Sequence, residues 1–281
     1  MFFNKSNDST PTNDEANDVA QNDTPISQDL DAYATRDLEH KVFRLLGFRN
    51  GFSDAEFYDN SEHFMIYSGY MPIDKLLSNE LDDSLKTFIT FETTLLDKEK
   101  QCSYKWTDGV KDDIDSALGE ASNNIMFSDL GIDCISYDIA NKDFRDLWGG
   151  ELPKINSFSG GPNIYGDFAY GANRDTYYYH IIGGRGGTSS DYVVGKISQI
   201  EGDNEVFVDL NAGRLYVSGG NPSEIYSDIE MNTKYKSIDQ SVTGWNELGL
   251  SDDDFASFQK YRFKFKKATD GTYYFSAVER L

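Results

Sequence analysis

Aromatic side chains crowd a stretch between Ser157 and His180 that is rich in glycine, asparagine and aspartate. They include Tyr165, Phe168, Tyr170, Tyr177, Tyr178 and Tyr179. Sugar and peptide grooves use such rings beside carboxylates and amides, because a flat ring stacks on an apolar face while polar groups fix the orientation. Four of the tyrosines are therefore candidate ligand-binding residues: Tyr165, Tyr170, Tyr177 and Tyr179. In an antiparallel sheet, however, alternating tyrosines are commonly core residues or cross-strand pairs, and that alternative stays open.

A glycine-rich run, GGRGGTSS from Gly183 to Ser190, follows this stretch. Phosphate cradles need a helix whose N-terminus faces the anion, whereas a β-branched segment follows here and no GK[ST] is present. The run therefore indicates a loop joining two strands. Exposed loops on a rigid sheet carry recognition, so we add Arg185 to the ligand-binding candidates within a predicted contact surface at 157–190.

Four cationic residues alternate along the segment from Lys260 to Lys266, with aromatic residues between them. In a strand, Lys260, Arg262, Lys264 and Lys266 would share one face, and Tyr261, Phe263 and Phe265 the other. The cationic face could meet an anionic partner such as a wall polymer. Alternatively, it is a solvated face that pairs with neighbouring acids or guards a sheet edge.

Catalytic and metal-binding motifs are missing from the sequence. The three histidines fall in no nucleophile elbow and no zinc-like spacing. The run Asp252–Asp254 follows Ser251 at a predicted helix start, where the helix dipole favours acids, and it lacks calcium-loop spacing. With 48 acidic residues, paired carboxylates are uninformative. We therefore assign no catalytic residue, no metal and no cofactor.

The only cysteines, Cys102 and Cys134, are too far apart in sequence for a CxxC motif. A disulfide between them would contribute roughly 3 to 4 kcal/mol by constraining the unfolded chain, and would suit an oxidising compartment. Two separate buried thiols are the alternative.

The net charge of −22 is unevenly distributed. Residues 1–150 hold 30 acidic and 13 basic residues, and residues 151–281 hold 18 and 13. Such a field repels phosphate backbones and anionic headgroups, so the sequence argues against nucleic-acid and membrane-surface partners. No run of about 18 apolar residues predicts a transmembrane span.

Residues 1–24 form a polar segment in which Val19 is the only sizeable apolar residue after Phe3. Such a segment buries too little to offset the ordering entropy, so we expect a disordered tether. The residues ahead of it, Met1-Phe2-Phe3, have neither the charged n-region nor the apolar h-region of an intact signal peptide. Mature lipoproteins have a polar spacer of this kind after the lipidated cysteine, so we expect an extracellular, surface-anchored protein whose lipid or signal segment is missing here.

Apolar periodicity predicts a helix-rich region over 25–150 and an antiparallel β-rich region over 151–281, as one compact unit or two closely packed domains. The predicted helices cover 26–48, 72–85, 108–123, 139–148 and 252–258. The β-branched run 89–96 argues against one long helix from 72 onward. The predicted strands cover 63–67, 176–182, 192–200, 205–210, 214–218 and 225–238. The closing strands 260–267 and 272–278 flank an Asp270-Gly271 turn, which is a hairpin signal. The fold class is α+β, with a helical N-terminal half packed on a mainly antiparallel C-terminal sheet that ends in a β-hairpin.

The second half of the chain resembles secreted lipoproteins of unknown function from Gram-positive anaerobes. Three segments carry the resemblance: YDIANKDFRDLWGGELP, DTYYYHIIGGRGG and WNELGLSDDDFASFQKYRFKFKKATDGTYYFSAVERL. No catalytic residue comes with it. A more distant resemblance to secreted inhibitors of cell-wall endopeptidases lies only in the plan of a helical layer on a sheet.

These observations predict a non-enzymatic, surface-tethered binding or inhibitory module whose partner is a cell-wall glycan, a peptide or an extracellular protein. The alternative is a hydrolase that uses carboxylates in a cleft, which would need two carboxyl groups roughly 5 to 9 Å apart, one with a raised pKa. The ligand and the oligomeric state are not specified by the sequence.

Overall fold

A computed structural model describes ten segments of the chain. They are residues 32–46, 64–67, 73–94, 102–104, 109–118, 132–156, 167–180, 188–218, 222–238 and 248–281. The predicted tether lies outside these residues.

The described residues form a mixed α+β structure with antiparallel sheets, which confirms the expected fold class at that level. The helices are α1 (Ala32–Leu45), α2 (Ile73–Ser78), α3 (Asp83–Thr94), α4 (Val110–Leu118), α5 (Tyr137–Trp148) and α6 (Asp252–Ala256). The first strands are β1 (Phe64–Tyr67), β2 (Cys102–Tyr104), β3 (Ile132–Ser136), β4 (Asp167–Gly171) and β5 (Thr176–His180). The others are β6 (Thr188–Glu201), β7 (Glu205–Ser218), β8 (Ser223–Tyr226), β9 (Lys234–Ile238), β10 (Lys260–Lys267) and β11 (Tyr273–Arg280).

The large sheet has seven strands in the order β1-β6-β7-β10-β11, with β8 paired to the far part of β7 and β9 paired to β8. The small sheet has four, in the order β2-β3-β5-β4. Both sheets combine strands from before and after residue 150, because β1 pairs with β6 and β3 pairs with β5. The two predicted regions are therefore joined by backbone hydrogen bonds.

One face of the large sheet, which we call the inner face, belongs to the main core. Val206, Val208 and Leu210 of β7 alternate toward it and belong to the same buried cluster as the apolar side chains of α1, α3 and α5. The opposite, outer face is covered at one end by a second cluster around Val193, in which Phe255 and Phe258 take part. The other end of the outer face carries the cationic residues of β10.

Buried ion pairs attach α1 to its neighbours. Lys41 is 1% exposed, and its ammonium lies 2.8 Å from Asp146 of α5 and donates to the Tyr273 carbonyl oxygen at 2.6 Å. Arg44 pairs with the same Asp146 at 3.2 Å. Burial lowers the pKa of Arg44 despite the opposing effect of Asp146, Asp143 and Asp37. These contacts fix α1 against α5 and β11.

Three predicted segments are divided differently in the structure. The predicted strand 225–238 is two strands, β8 and β9, with the turn 227–233 between them. The run Ile89–Thr94 belongs to α3, and the chain breaks earlier, at Asn79, whose φ is 58°. Buried threonines are tolerated in α3 because Thr87 and Thr90 donate to the carbonyls of Asp83 and Lys86. The predicted strands 205–210 and 214–218 are one strand, β7. Gly213 lies within this strand and allows β8 to approach closely, since a Cβ there would lie 2.1 Å from the Tyr226 carbonyl oxygen.

Candidate functional site

Two of the predicted ligand-binding tyrosines lie in the core. Tyr177 is 0% and Tyr179 is 5% exposed, and both rings pack against Phe91 of α3. Burial raises the pKa of Tyr177, whose hydroxyl donates to the Pro153 carbonyl. Tyr178 points the other way and donates to the buried Asp113 of α4 at 2.9 Å. Because the small sheet is covered on both sides, these rings contribute packing, as the core alternative anticipated.

Tyr170 is half-buried and belongs to a polar cluster with Lys154 and Asp175. The Lys154 ammonium donates to the Tyr170 hydroxyl at 2.6 Å and to Asp175 at 3.0 Å, and the Tyr170 hydroxyl also donates to Asp175. Burial and the hydrogen bond to Asp175 raise the pKa of Tyr170, and the hydrogen bonds from Tyr170 and Lys154 lower the pKa of Asp175. The three groups satisfy one another, so this cluster fastens the segment after α5 to β4.

The remaining two candidates, Tyr165 and Arg185, lie outside the described residues, as do 157–166 and 181–187 of the predicted contact surface. The structure therefore brings together Tyr170 and Tyr177, whose ring centres are 5.3 Å apart, but it places only Tyr170 near solvent.

The cationic face of β10 forms as predicted. Tyr261, Phe263 and Phe265 are buried on the inner face, and the alternating cations lie on the outer face. Lys260 and Arg262 pair with Asp209, and Lys264 pairs with Glu279 at 2.6 Å. Pairing with neighbouring acids thus accounts for three of the four cations. The edge alternative is wrong, because β10 lies between β7 and β11.

A groove of about 510 Å³ opens where the β6–β7 turn meets the ends of β10 and β11. We call it the turn groove and define it by six side chains. They are the acids Asp203 and Glu205, the lysines Lys266 and Lys267, and the aromatic residues Phe207 and Tyr274. A backbone hydrogen bond of 3.1 Å from Lys267 to Asn204 ties the turn to the end of β10. The groove is therefore built on paired strands.

Both aromatic side chains that line the turn groove, Phe207 and Tyr274, pack against neighbouring residues. The Arg262 guanidinium lies 5.2 Å from the centre of the Phe207 ring and is itself fixed by two hydrogen bonds to Asp209. Tyr274 lies against Gly149, the left-handed residue that ends α5, where a Cβ would stand 2.6 Å from the ring. Rings positioned in this way can contact a ligand at little further entropic cost.

The turn groove also presents charges of both signs. Among the residues that the structure describes, no ion pair within 4.0 Å involves Asp203, Glu205, Lys266 or Lys267. Ligand sites combine apolar and aromatic surfaces with a few polar or charged groups, and this groove has both.

The sequence does not reveal this groove. Its turn, Gly202–Glu205, and its strand end, Lys266–Lys267, are some 60 residues apart in sequence and meet because Lys266 pairs with Glu205. The alternation in β10 predicts the face on which Lys266 lies. The pairing of β10 with β7, which brings Phe207 close to Lys266, is a long-range contact that no local pattern predicts.

The other acidic sites have structural roles. The helix-start interpretation of Asp252–Asp254 is confirmed, because Ser251 and Asp254 form a reciprocal capping box. Hydrogen bonds from Tyr235 and Ser251 lower the pKa of Asp254 to about 2. Within the described segments no group of three or more histidine, cysteine or acidic side chains could hold a metal ion.

Cys102 and Cys134 form a disulfide across directly opposed positions of β2 and β3, with Cα atoms 4.9 Å apart. Of the two alternatives that the sequence left open, the structure shows the paired one. The bridge adjoins a small core in which Val110 and Ile114 of α4 are fully buried.

Comparison with protein-family models, curated proteins and solved structures gives no match. No helix in the described part of the chain has the length and apolar character needed to cross a membrane.

Proposed function

We propose that this protein is an exported, surface-held binding or inhibitory module without catalytic activity, and that the turn groove is its ligand site. The observation that carries the proposal is the groove itself, where Phe207 and Tyr274 stand beside acids and a lysine that form no ion pair within 4.0 Å among the described residues. Rings that stack and polar groups that orient are what wall glycans and peptides require. The tyrosine surface predicted at 157–190 is replaced in this proposal by the groove, because Tyr177 and Tyr179 are buried.

The extracellular location is supported by the disulfide and by the resemblance to secreted lipoproteins. Disulfides persist in oxidising compartments. In this proposal the polar segment 1–24 is the spacer, and the body is the helical N-terminal half packed on the C-terminal antiparallel sheet.

No specific observation favours the hydrolase alternative. A general acid needs a carboxyl group whose pKa is raised. Among the described residues, every carboxyl group with a shifted pKa has a lowered one. These groups are Asp175, Asp209, Glu224, Asp254 and Asp270.

The proposal is tested by calorimetric titration with soluble wall fragments that contain both glycan and stem peptide. We expect Phe207→Ala to weaken binding about three- to tenfold, the value of one aromatic contact. Ile200→Ala is the matched control, because Ile200 faces Phe207 in the register of β6 and β7 and lies outside the groove.

Unfolding midpoints of both variants separate lost binding from lost folding. Absence of binding by the wild-type chain, or equal affinities for wild type and Phe207→Ala, would contradict the proposal.

A further inference from the structure

The outer face of the large sheet carries ionic groups in two different states. Away from the groove they are paired: Asp209 accepts from Arg262 at 2.7 and 2.9 Å and lies 3.0 Å from Lys260. At the groove, the next cation of the same strand, Lys266, has no carboxylate within 4.0 Å among the described residues. The pairing thus stops where the concavity begins.

Glu205 and Lys266 are the clearest example of ionic groups that stay unpaired at the groove. They occupy directly opposed positions of β7 and β10, where oppositely charged side chains commonly pair. They remain separate in the structure, and Lys266 is exposed. The turn adds Asp203, whereas the Lys267 ammonium at the end of β10 lies 5.7 Å from the centre of the Tyr273 ring. The groove therefore offers two carboxylates and the Lys266 ammonium to whatever fills it.

The charge pattern discriminates among ligands. A neutral sugar chain covering the groove would remove water from three charged groups and give them no ionic partner, which is costly. A purely anionic ligand would meet Asp203 and Glu205 as well as the −22 field of the chain, and a purely cationic ligand would meet Lys266. A ligand with both charges supplies a partner to each sign.

We infer that the turn groove binds a zwitterionic peptide segment, with its ammonium side chain at the acids, its carboxylate side chain at Lys266 and its intervening apolar part on Phe207 and Tyr274. This inference rests on the binding function proposed above and names its ligand class.

The test compares defined probes against the full chain, with aromatic NMR signals and calorimetry as readouts. The charged probe is acetyl-Lys-Ala-Ala-Glu-amide. The neutral probes are acetyl-Gln-Ala-Ala-Gln-amide and a tetramer of N-acetylglucosamine. We expect the charged peptide to shift the Phe207 and Tyr274 signals and to bind at least about fivefold more tightly than either neutral probe. Raising the salt from about 0.05 to about 0.5 M should reduce that advantage.

Lys266→Gln should weaken binding of the charged peptide about three- to fivefold, the range of one exposed ion pair. Lys264→Gln is the matched control two residues away, since Lys264 pairs with Glu279 outside the groove, and it should leave the affinity unchanged.

Two failures can be told apart. If wall fragments bind at the groove but the charged peptide binds no better than the neutral probes, the inference is overturned and the proposed function stands. If neither the wall fragments nor any probe binds, the proposed function fails with it.

Discussion

At the scale of single residues, Asp209 organises the cationic face of β10. Its side chain is 0% exposed and accepts from Arg262, which in turn supports the Phe207 ring. Although burial alone would raise the pKa of Asp209, hydrogen bonds and charges from Arg262 and Lys260 lower it. Asp209 is thus a buried acid that positions Arg262, and Arg262 in turn packs on the Phe207 ring of the turn groove.

Asp209→Asn should lower the free energy of unfolding by about 2 kcal/mol at neutral pH, because Arg262 and Lys260 lose their counter-charge. The folded-state pKa of Asp209 is depressed, so its stabilisation is present above the unfolded value near 3.9 and is lost as the pH falls through the folded value. The gap between wild type and variant should therefore narrow below about pH 4 in urea unfolding.

The control for this measurement is Asp203→Asn, which changes an exposed acid in the β6–β7 turn. Two results would show that the Asp209 ion pairs do not stabilise the fold. One is a difference in the free energy of unfolding between wild type and Asp209→Asn that widens as the pH falls. The other is an equal loss of unfolding free energy in Asp203→Asn.

At the scale of elements, the sequence predicts those features that depend only on residues close together in the chain, such as caps, helix ends and turns. The cap at Ser251, the end of α5 at Trp148 and the hairpin of β10 and β11 are confirmed, because capping and turn chemistry act within a few residues. The prediction against one long helix from 72 onward is confirmed, since α2 ends at Ser78 and α3 begins at Asp83. The β-branched run from Ile89 is nevertheless helical, because tertiary burial outweighs β propensity. The inward direction of Tyr177 depends on helix α3 covering the small sheet, which no local pattern encodes.

The disulfide is the covalent link between β2 and β3, and it closes a loop with a sequence separation of 32 residues. Replacing both cysteines by alanine should lower the free energy of unfolding by about 3 to 4 kcal/mol, chiefly through the gain in unfolded-chain entropy. Denaturant unfolding measures the loss, and dithiothreitol should produce a similar loss in the wild type.

The double variant should be insensitive to dithiothreitol, which makes it an internal control. Two thiols that react with a thiol reagent in denaturant before any reduction would refute the bridge.

At the scale of the whole molecule, the groove arises from topology. Its turn and strand end converge because β7 and β10 are neighbours although the segment 219–259 separates them in sequence. The sequence could predict an acidic, antiparallel α+β protein and the direction of the β10 side chains, but a site assembled by such a pairing needs the register of the sheet.

Net charge acts at the same scale, since a chain with charge −22 repels itself when compact. Raising sodium chloride from about 0.02 to about 0.3 M should increase the free energy of unfolding by on the order of 1 kcal/mol, because screening weakens long-range repulsion more than buried ion pairs. Changing the exposed acids Glu80, Asp133 and Asp203 to amides should raise stability at low salt and reduce the salt response. Destabilisation by salt in urea unfolding would mean that surface ion pairs outweigh the self-repulsion.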